Sequence, residues 1–581
     1  MKVNVLLTLS SLLGLSLAAP APVIELEERT AAPDPAPVIE ERAAAPTVTI
    51  SYPKATIIGK AGNVEIFPGI PFAKPPVGGL RLRPPQPLTD PLGTIYATEN
   101  GKACPQFTFS TAIDDDIPTS AIGNLVNTPL LQKVLNAGED CLYLNVHRPS
   151  GTAANAKLPV LFWIFGGGFQ IGWNSMYDGG PWVSSGALRG QPIIVVTVNY
   201  RVGGFGFLAG KEILADGASN LGLLDQRLGL QWVADNIAAF GGDPTKVTIW
   251  GESAGAISVF DQMAMYDGDH TYKGKPLFRG AIMNSGSMVP ADPVDCPKGQ
   301  KIYDTVVSVA GCSKAYDTLA CLRAAPYEVL LNATTSVPSL LSYSSISLSY
   351  LPRPDGVVLT QSPDLLVLSG KFAKVPFICG SQEDEGTLFA LFQSTIKTIP
   401  QLLNYLKTYF FHGATTAQLQ ALIDTYPDVT TDGSPFRTGI FNNWYPQFKR
   451  LAAILGDLTF TITRRAFLEV ANLVHPDVPS WSYISSYDYG TPILGTFHGS
   501  DLLQVFFGVL PNYASVSFRS YYLNFVYNLD PNVGTVVVNW PRWSVKKKLM
   551  NMYAWYQTQI DDNFRDDTYK FLLSNIGGFH I

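Results

Sequence analysis

From about residue 158 onward, dense apolar runs alternate with segments whose apolar residues recur at helical spacing. Val160–Phe165, Ile193–Val198 and Val247–Trp250 are such runs, followed later by Ala281–Met283, Val375–Cys379 and Trp481–Ile484. Between them, Leu223–Phe240 reads as a helix. So do Leu402–Leu406 and Leu419–Tyr426 within a helical stretch at about 386–475, and Leu549–Ile560 near the end. Short apolar runs without polar alternation suit strands covered on both faces, and intervening helices supply the crossovers that a parallel sheet needs. The predicted fold class is α/β, with a large, mostly parallel central sheet flanked by helices. The stretch 386–475 and the segment Leu549–Ile560 are expected to cap the sheet and wall a site.

The first 46 residues follow another pattern. Lys2 precedes an apolar stretch from Leu6 to Leu17, and the small residues Ala18 and Ala19 follow. That order is the pattern of a secretory signal peptide, assigned here to 1–19, which makes the expected location extracellular. The rival, an uncleaved anchor, is disfavoured because spanning a bilayer takes about 20 apolar residues. Residues 20–46 are rich in Ala, Pro and Glu and contain an imperfect repeat, Ala21-Pro-Val-Ile-Glu-Leu-Glu-Glu-Arg29 and Ala36-Pro-Val-Ile-Glu-Glu-Arg42. Such a stretch has too little apolar surface to fold alone, and reads as a disordered pro-segment or a linker. The folded catalytic domain is expected at 47–581.

Composition narrows the class. Hydrophobic residues make up 46% of the chain and charged residues 15%, a balance that suits a well-buried core. A net charge of -6 argues against a nucleic-acid partner, which would need a basic face. The six cysteines predict disulfides in an exported chain, although spacing alone does not fix their partners. Asn332-Ala-Thr334 is a glycosylation sequon, or else an unmodified surface turn.

The chemistry centres on Gly251-Glu252-Ser253-Ala254-Gly255, which fits G-x-S-x-G. In that motif a serine nucleophile sits on a sharp turn between strand and helix. Val247–Trp250 supplies the strand and Ala256–Met265 a helix, which disfavours the plainer reading of a Gly-Ser turn. A serine nucleophile needs donors for a tetrahedral oxyanion. Gly166-Gly167-Gly168 follows the run ending at Phe165, so the Gly167 and Gly168 amides are candidate donors, with that of Ala254 after the nucleophile. The alternative for these glycines is a flexible turn. An acid and then a base should follow the serine in the chain. Gln382-Glu383-Asp384-Glu385-Gly386 offers three carboxylates, and the motif does not choose among them. His412, His475, His498 and His580 follow; His498, in Gly495-Thr-Phe-His-Gly-Ser-Asp501 after a strand, is best placed. His580, one residue from the end, is expected to fray.

Together with these motifs, Gly69-Ile-Pro-Phe-Ala-Lys-Pro-Pro-Val-Gly78, Glu139-Asp-Cys-Leu-Tyr-Leu-Asn145, Phe240-Gly-Gly-Asp-Pro244 and Asp384-Glu-Gly-Thr387 resemble the type-B carboxylesterases, the cholinesterase-like family. The chain is most similar to the fungal lipases and sterol esterases of the Candida rugosa lipase group, over essentially 48–580. The resemblance implies an α/β-hydrolase fold with Glu385 as acid and His498 as base. It implies disulfides Cys104–Cys141 and Cys312–Cys321, leaving Cys296 and Cys379 unpaired, and a buried Arg81–Glu139 ion pair. Glu252 and Ser285 would support the triad, and Leu388 and Phe389 would line the acyl side. The loop 104–141 would be a lid, read here as an amphipathic flap that opens at a lipid–water interface; a self-packed surface loop is the plainer reading. The implied function is a secreted serine hydrolase acting on long-chain acylglycerols and steryl esters, with no metal or organic cofactor. A short-chain carboxylesterase is one alternative and a non-catalytic, cholinesterase-like adhesion protein another.

Overall fold

The computed structural model describes residues 44–107, 136–488, 490–506, 512–534 and 538–581. The expectations for the leader (1–19), for nearly all of the 20–46 segment and for the interior of the flap (108–135) lie outside the described residues.

The strands, in chain order, are β1 (Thr47–Ser51), β2 (Lys54–Ile58), β3 (Val64–Pro71), β4 (Gly93–Tyr96), β5 (Tyr143–Pro149), β6 (Leu158–Ile164), β7 (Ile194–Val198), β8 (Gly242–Glu252), β9 (Thr271–Tyr272), β10 (Lys275–Pro276), β11 (Gly280–Asn284), β12 (Phe377–Gln382), β13 (Ser480–Ser485), β14 (Lys548–Met552) and β15 (Gln557–Asp561). Ten of them form one sheet in the order β15-β14-β13-β12-β11-β8-β6-β7-β5-β3. From β7 to β14 every neighbouring pair is parallel, whereas β15 at one edge pairs antiparallel with β14, and β5 pairs antiparallel with both β7 and the other edge strand, β3. Every residue of β7, β11, β12 and β13 is buried, as expected for strands with both faces covered. The order also creates a switch point. From β6 the chain goes to β7 on one flank and then to β8 on the other. Open α/β sheets bind ligands outside the carboxyl ends of their strands at such a point.

The sequence reading holds for the central strands and for Leu223–Phe240, which forms the helix Leu221–Asn236 and a final 3₁₀ turn. It fails at Leu549–Ile560, which forms the hairpin of β14 and β15 instead of a helix. Leu549, Met550, Asn551 and Met552 form a continuous buried run beside parallel β13. A short apolar run has no distinguishing period, so its neighbour in the sheet decides its conformation.

Both implied disulfides are present, Cys104–Cys141 and Cys312–Cys321. Cys296 and Cys379 are buried free thiols, and burial pushes the Cys379 thiol up to about 12. Buried Arg81 pairs with partly buried Glu139, with Nε–Oε1 at 2.5 Å and Nη2–Oε2 at 2.6 Å. Asn332 is exposed on the helix Tyr327–Thr334 and not in a turn. None of the described helices is long and apolar enough to cross a membrane.

Candidate active site

Four carboxyl ends of the sheet converge. Gly166-Gly167-Gly168 follows β6, Ser253 follows β8, Glu385 follows β12, and the loop carrying His498 follows β13. Ser253 sits between strand and helix at φ 56 and ψ -126, and its amide donates to the Asn284 carbonyl at 2.9 Å. A side chain rarely adopts this conformation, and the surrounding packing must hold it. The flanking glycines make room for the turn. A Cβ on Gly255 would lie 2.1 Å from the Ile164 carbonyl oxygen, and one on Gly251 2.3 Å from that of Gly255.

The hydroxyl of Ser253 lies 2.7 Å from Nε2 of His498, and Nδ1 of His498 lies 2.6 Å from Oε2 of Glu385. The carboxylate fixes the tautomer, so Nδ1–H donates to Glu385 and Nε2 accepts from Ser253. The other Glu385 oxygen accepts from the Gln382 amide at 2.7 Å, and Gln382 donates from its side chain to Ser285 at 3.2 Å. The imidazole is 2% exposed and is flanked by Phe389 and Phe460, with ring centres 5.0 and 4.4 Å away. Glu252 reaches to 3.6 Å from Nε2. Burial, followed by the negative neighbours Asp501 and Glu385, raises its carboxyl well above the usual range.

The three consecutive carboxylates have separate partners. Glu383 pairs with Arg437 at 2.5 Å. Asp384 accepts from the Ser434 hydroxyl and from the Phe436 and Thr496 amides, tying together two loops. Burial, reinforced by Glu383, lifts Asp384 to about 7. Only Glu385 reaches the imidazole.

Gly167 and Gly168 hold φ values of 110 and 62, a region that glycine enters freely. No acceptor among the described residues takes the N–H of Gly167, Gly168 or Ala254. The described start of the 104–141 loop is tied to the same glycine-rich segment. Gln106 donates to the Gly172 carbonyl and accepts from the Gly172 amide, and the Phe107 amide donates to the Gln170 carbonyl.

Two cavities open at Ser253. The larger, about 620 Å³, is bounded by Gly168, Ala254, Ile257, Leu340 and Phe389 among others, and the smaller, about 380 Å³, by Gly166, Gly167, Ile171 and Tyr177 among others. Phe389 lines the larger cavity, whereas Leu388 is fully buried and lines neither. These adjacent residues in one tight turn do not share a wall. Among the residues of the larger cavity that sequence reasoning missed are Ile257, Asp261 and Ile581. The first two were legible in principle, because they follow Ser253 at steps of four along a helix.

His580 does not fray. Its ring nitrogens lie 3.7 Å from Asp292 and 3.4 Å from Asp364, and Arg353 donates to the Ile581 carbonyl at 2.9 Å. Burial works against its charge, but the two carboxylates raise it from 6.5 to about 9. This clamp seats Ile581 in the cavity wall.

Residues 44–572 match the model of the carboxylesterase family. The chain is 69% identical over 538 residues to secreted lipase 1 of Botryotinia fuckeliana, covering 92% of this chain and 94% of that one. It is 57% identical over 542 residues to secreted triacylglycerol lipase LIP1 of Gibberella zeae (92% and 91%), and 48% identical over 521 residues to lipase 4 of Diutina rugosa (89% and 94%). Among solved structures, Aspergillus niger EstA superimposes with a TM-score of 0.77 at 27% identity, over 93% of this chain and all of that one. The sheet, the motifs and these relatives agree that the chain belongs to the carboxylesterase family and has the α/β-hydrolase fold.

Proposed function

We propose that this protein is a secreted lipase, a serine hydrolase that cleaves carboxylic esters, and that its substrates are long-chain acylglycerols and steryl esters. The observation that carries the reading is the hydrogen-bonded series Ser253–His498–Glu385 at the mouth of an apolar cavity, beside three unclaimed amides. Ser253 Oγ attacks the ester carbonyl carbon and its proton passes to His498 Nε2. Glu385 orients the imidazole and stabilises its cation. The carbonyl oxygen becomes an oxyanion held by the amides of Gly167, Gly168 and Ala254, and one such donor is worth about a hundred- to a thousandfold in rate. As the tetrahedral species collapses, the bond to the alcohol oxygen breaks and that oxygen takes the proton from His498. Water then attacks the acyl-enzyme, His498 takes a proton from it, and the carboxylic acid leaves as Ser253 regains its hydrogen. None of these steps calls for a metal or an organic cofactor.

The relatives named as secreted lipases support the acylglycerol part of the substrate class and export through the 1–19 leader. The 104–141 loop is the lid in this reading, meeting the lipid–water interface, and exposed Asn332 is its glycan site. The smaller cavity would take the alcohol side. Rates on 4-nitrophenyl butyrate and palmitate, triolein and a cholesteryl ester test the assignment. Turnover of triolein and the cholesteryl ester is expected. Preference for butyrate with no turnover of the steryl ester would favour a short-chain carboxylesterase. Failure of an organophosphate to label Ser253 in folded protein would favour a binding protein.

A further inference from the structure

The helix that begins at Ser253 (Ala254–Ala264) is buried along its whole length. Ile257 and Asp261 follow Ser253 at successive steps of four, so the three share one stripe of the helical surface. All three line the cavity of about 620 Å³. Asp261 is the anomaly among them. It is 0% exposed, and neither of its carboxyl oxygens has a hydrogen-bond partner among the described residues. An ionised carboxylate left unpaired in such surroundings is far too costly, so the group keeps its proton. Burial is the cause that raises it well above the ordinary carboxylate range. A protonated carboxyl presents one O–H donor and one carbonyl acceptor. Buried polar groups normally have partners, so both functions of this carboxyl are free to meet a group bound in the cavity.

The spacing says what kind of ligand fits. With the acyl carbon at Ser253, eight residues of helix advance about 12 Å, which is the reach of roughly nine to eleven carbons of an extended chain. Most of the wall of this cavity is aliphatic, including Ile257, Ile346, Leu348 and Leu351. A hydroxyl at that depth both donates and accepts, which matches a protonated carboxyl. We infer that Asp261 is a specificity-determining residue that hydrogen-bonds a hydroxyl in the middle of the acyl chain, so that this cavity selects esters of mid-chain hydroxy fatty acids over unsubstituted ones. The inference rests on the esterase reading above, and on the acyl chain lying along this helix.

The test compares kcat/KM for 4-nitrophenyl esters of octadecanoic acid and of its 10-hydroxy and 18-hydroxy derivatives, in the wild type and in Asp261→Leu and Asp261→Asn. The wild type should prefer the 10-hydroxy ester over the plain one by about tenfold, near the upper end of the net effect of one hydrogen bond. The 18-hydroxy ester should gain nothing. Asp261→Leu should erase the preference or reverse it, and Asp261→Asn, which keeps a donor and an acceptor, should retain part of it. Because each comparison is a ratio within one enzyme, a loss of folded protein cancels. Equal rates on the plain and 10-hydroxy esters in the wild type would mean that Asp261 holds only a buried water, and would overturn the inference. A preference that survives unchanged in Asp261→Leu would overturn it as well. Absence of turnover on all three esters by the wild type would instead strike at the esterase reading.

Discussion

Replacing His580 with glutamine tests whether the clamp on Ile581 is electrostatic. The histidine stands between Asp292 and Asp364, and in turn holds the Asp292 carboxyl below its usual value. Its own rise from 6.5 to about 9 corresponds to about 3 kcal/mol at 1.36 kcal/mol per unit. Solvent access to the pair reduces that to roughly 1–2 kcal/mol. Because the folded value is the higher one, the contribution is complete below pH 6.5, where folded and unfolded chains are both protonated. It shrinks between pH 6.5 and about 9, where only the folded chain keeps the proton, and is gone above that. Urea denaturation of wild type and His580→Gln from pH 6 to 10 measures the difference. The variant should be less stable by about 1–2 kcal/mol at pH 6, and the two curves should converge at the alkaline end. A constant gap across the range would refute the ion pair and leave only a packing role. Since Ile581 lines the larger cavity, the variant should also lose selectivity among long acyl chains.

Ser253→Ala should lower kcat by about a millionfold, read from initial rates on a soluble ester. Glu385→Gln leaves the shape of the site intact but removes the charge facing Nδ1, so kcat should fall about ten-thousandfold, whereas Glu383→Gln, altering a partly exposed pair with Arg437, should stay within a few-fold. Gly167→Ala would place a Cβ 2.2 Å from the Ile171 carbonyl oxygen at φ 110, displacing the amide loop; a loss of a hundred- to a thousandfold in kcat with little change in KM is expected. Opening Cys104–Cys141, which spans 37 residues, should cost up to about 4 kcal/mol of stability through the unfolded chain, seen as a lower denaturant midpoint for Cys104→Ser/Cys141→Ser.

The central sheet was legible because its strands are buried on both faces and therefore read as unbroken apolar runs, as at Ile193–Val198. The motif around Ser253 was legible because a strained turn tolerates only glycine beside it. The choice of Glu385 over Glu383 and Asp384 was legible only through the family resemblance and not from the motif itself, because it depends on which side chain faces a loop more than a hundred residues away. Leu388 illustrates the same limit, since neighbours in a turn diverge by more than spacing can tell. The hairpin at Lys548–Asp561 was misread because a few apolar residues suit a buried strand and a helix equally. His580 was misjudged because proximity to the end of the sequence says nothing about partners at 292 and 364.

Positions 383, 384 and 385 form a natural dissection of what an acidic side chain does in an enzyme. One meets an arginine near solvent, one staples two loops from within, and one faces the imidazole. Neutralising each in turn should yield three unlike phenotypes from adjacent codons: near silence, a fragile but competent protein, and a sturdy but inert one. A mutational scan that averaged over this tripeptide would see only moderate sensitivity and miss all three.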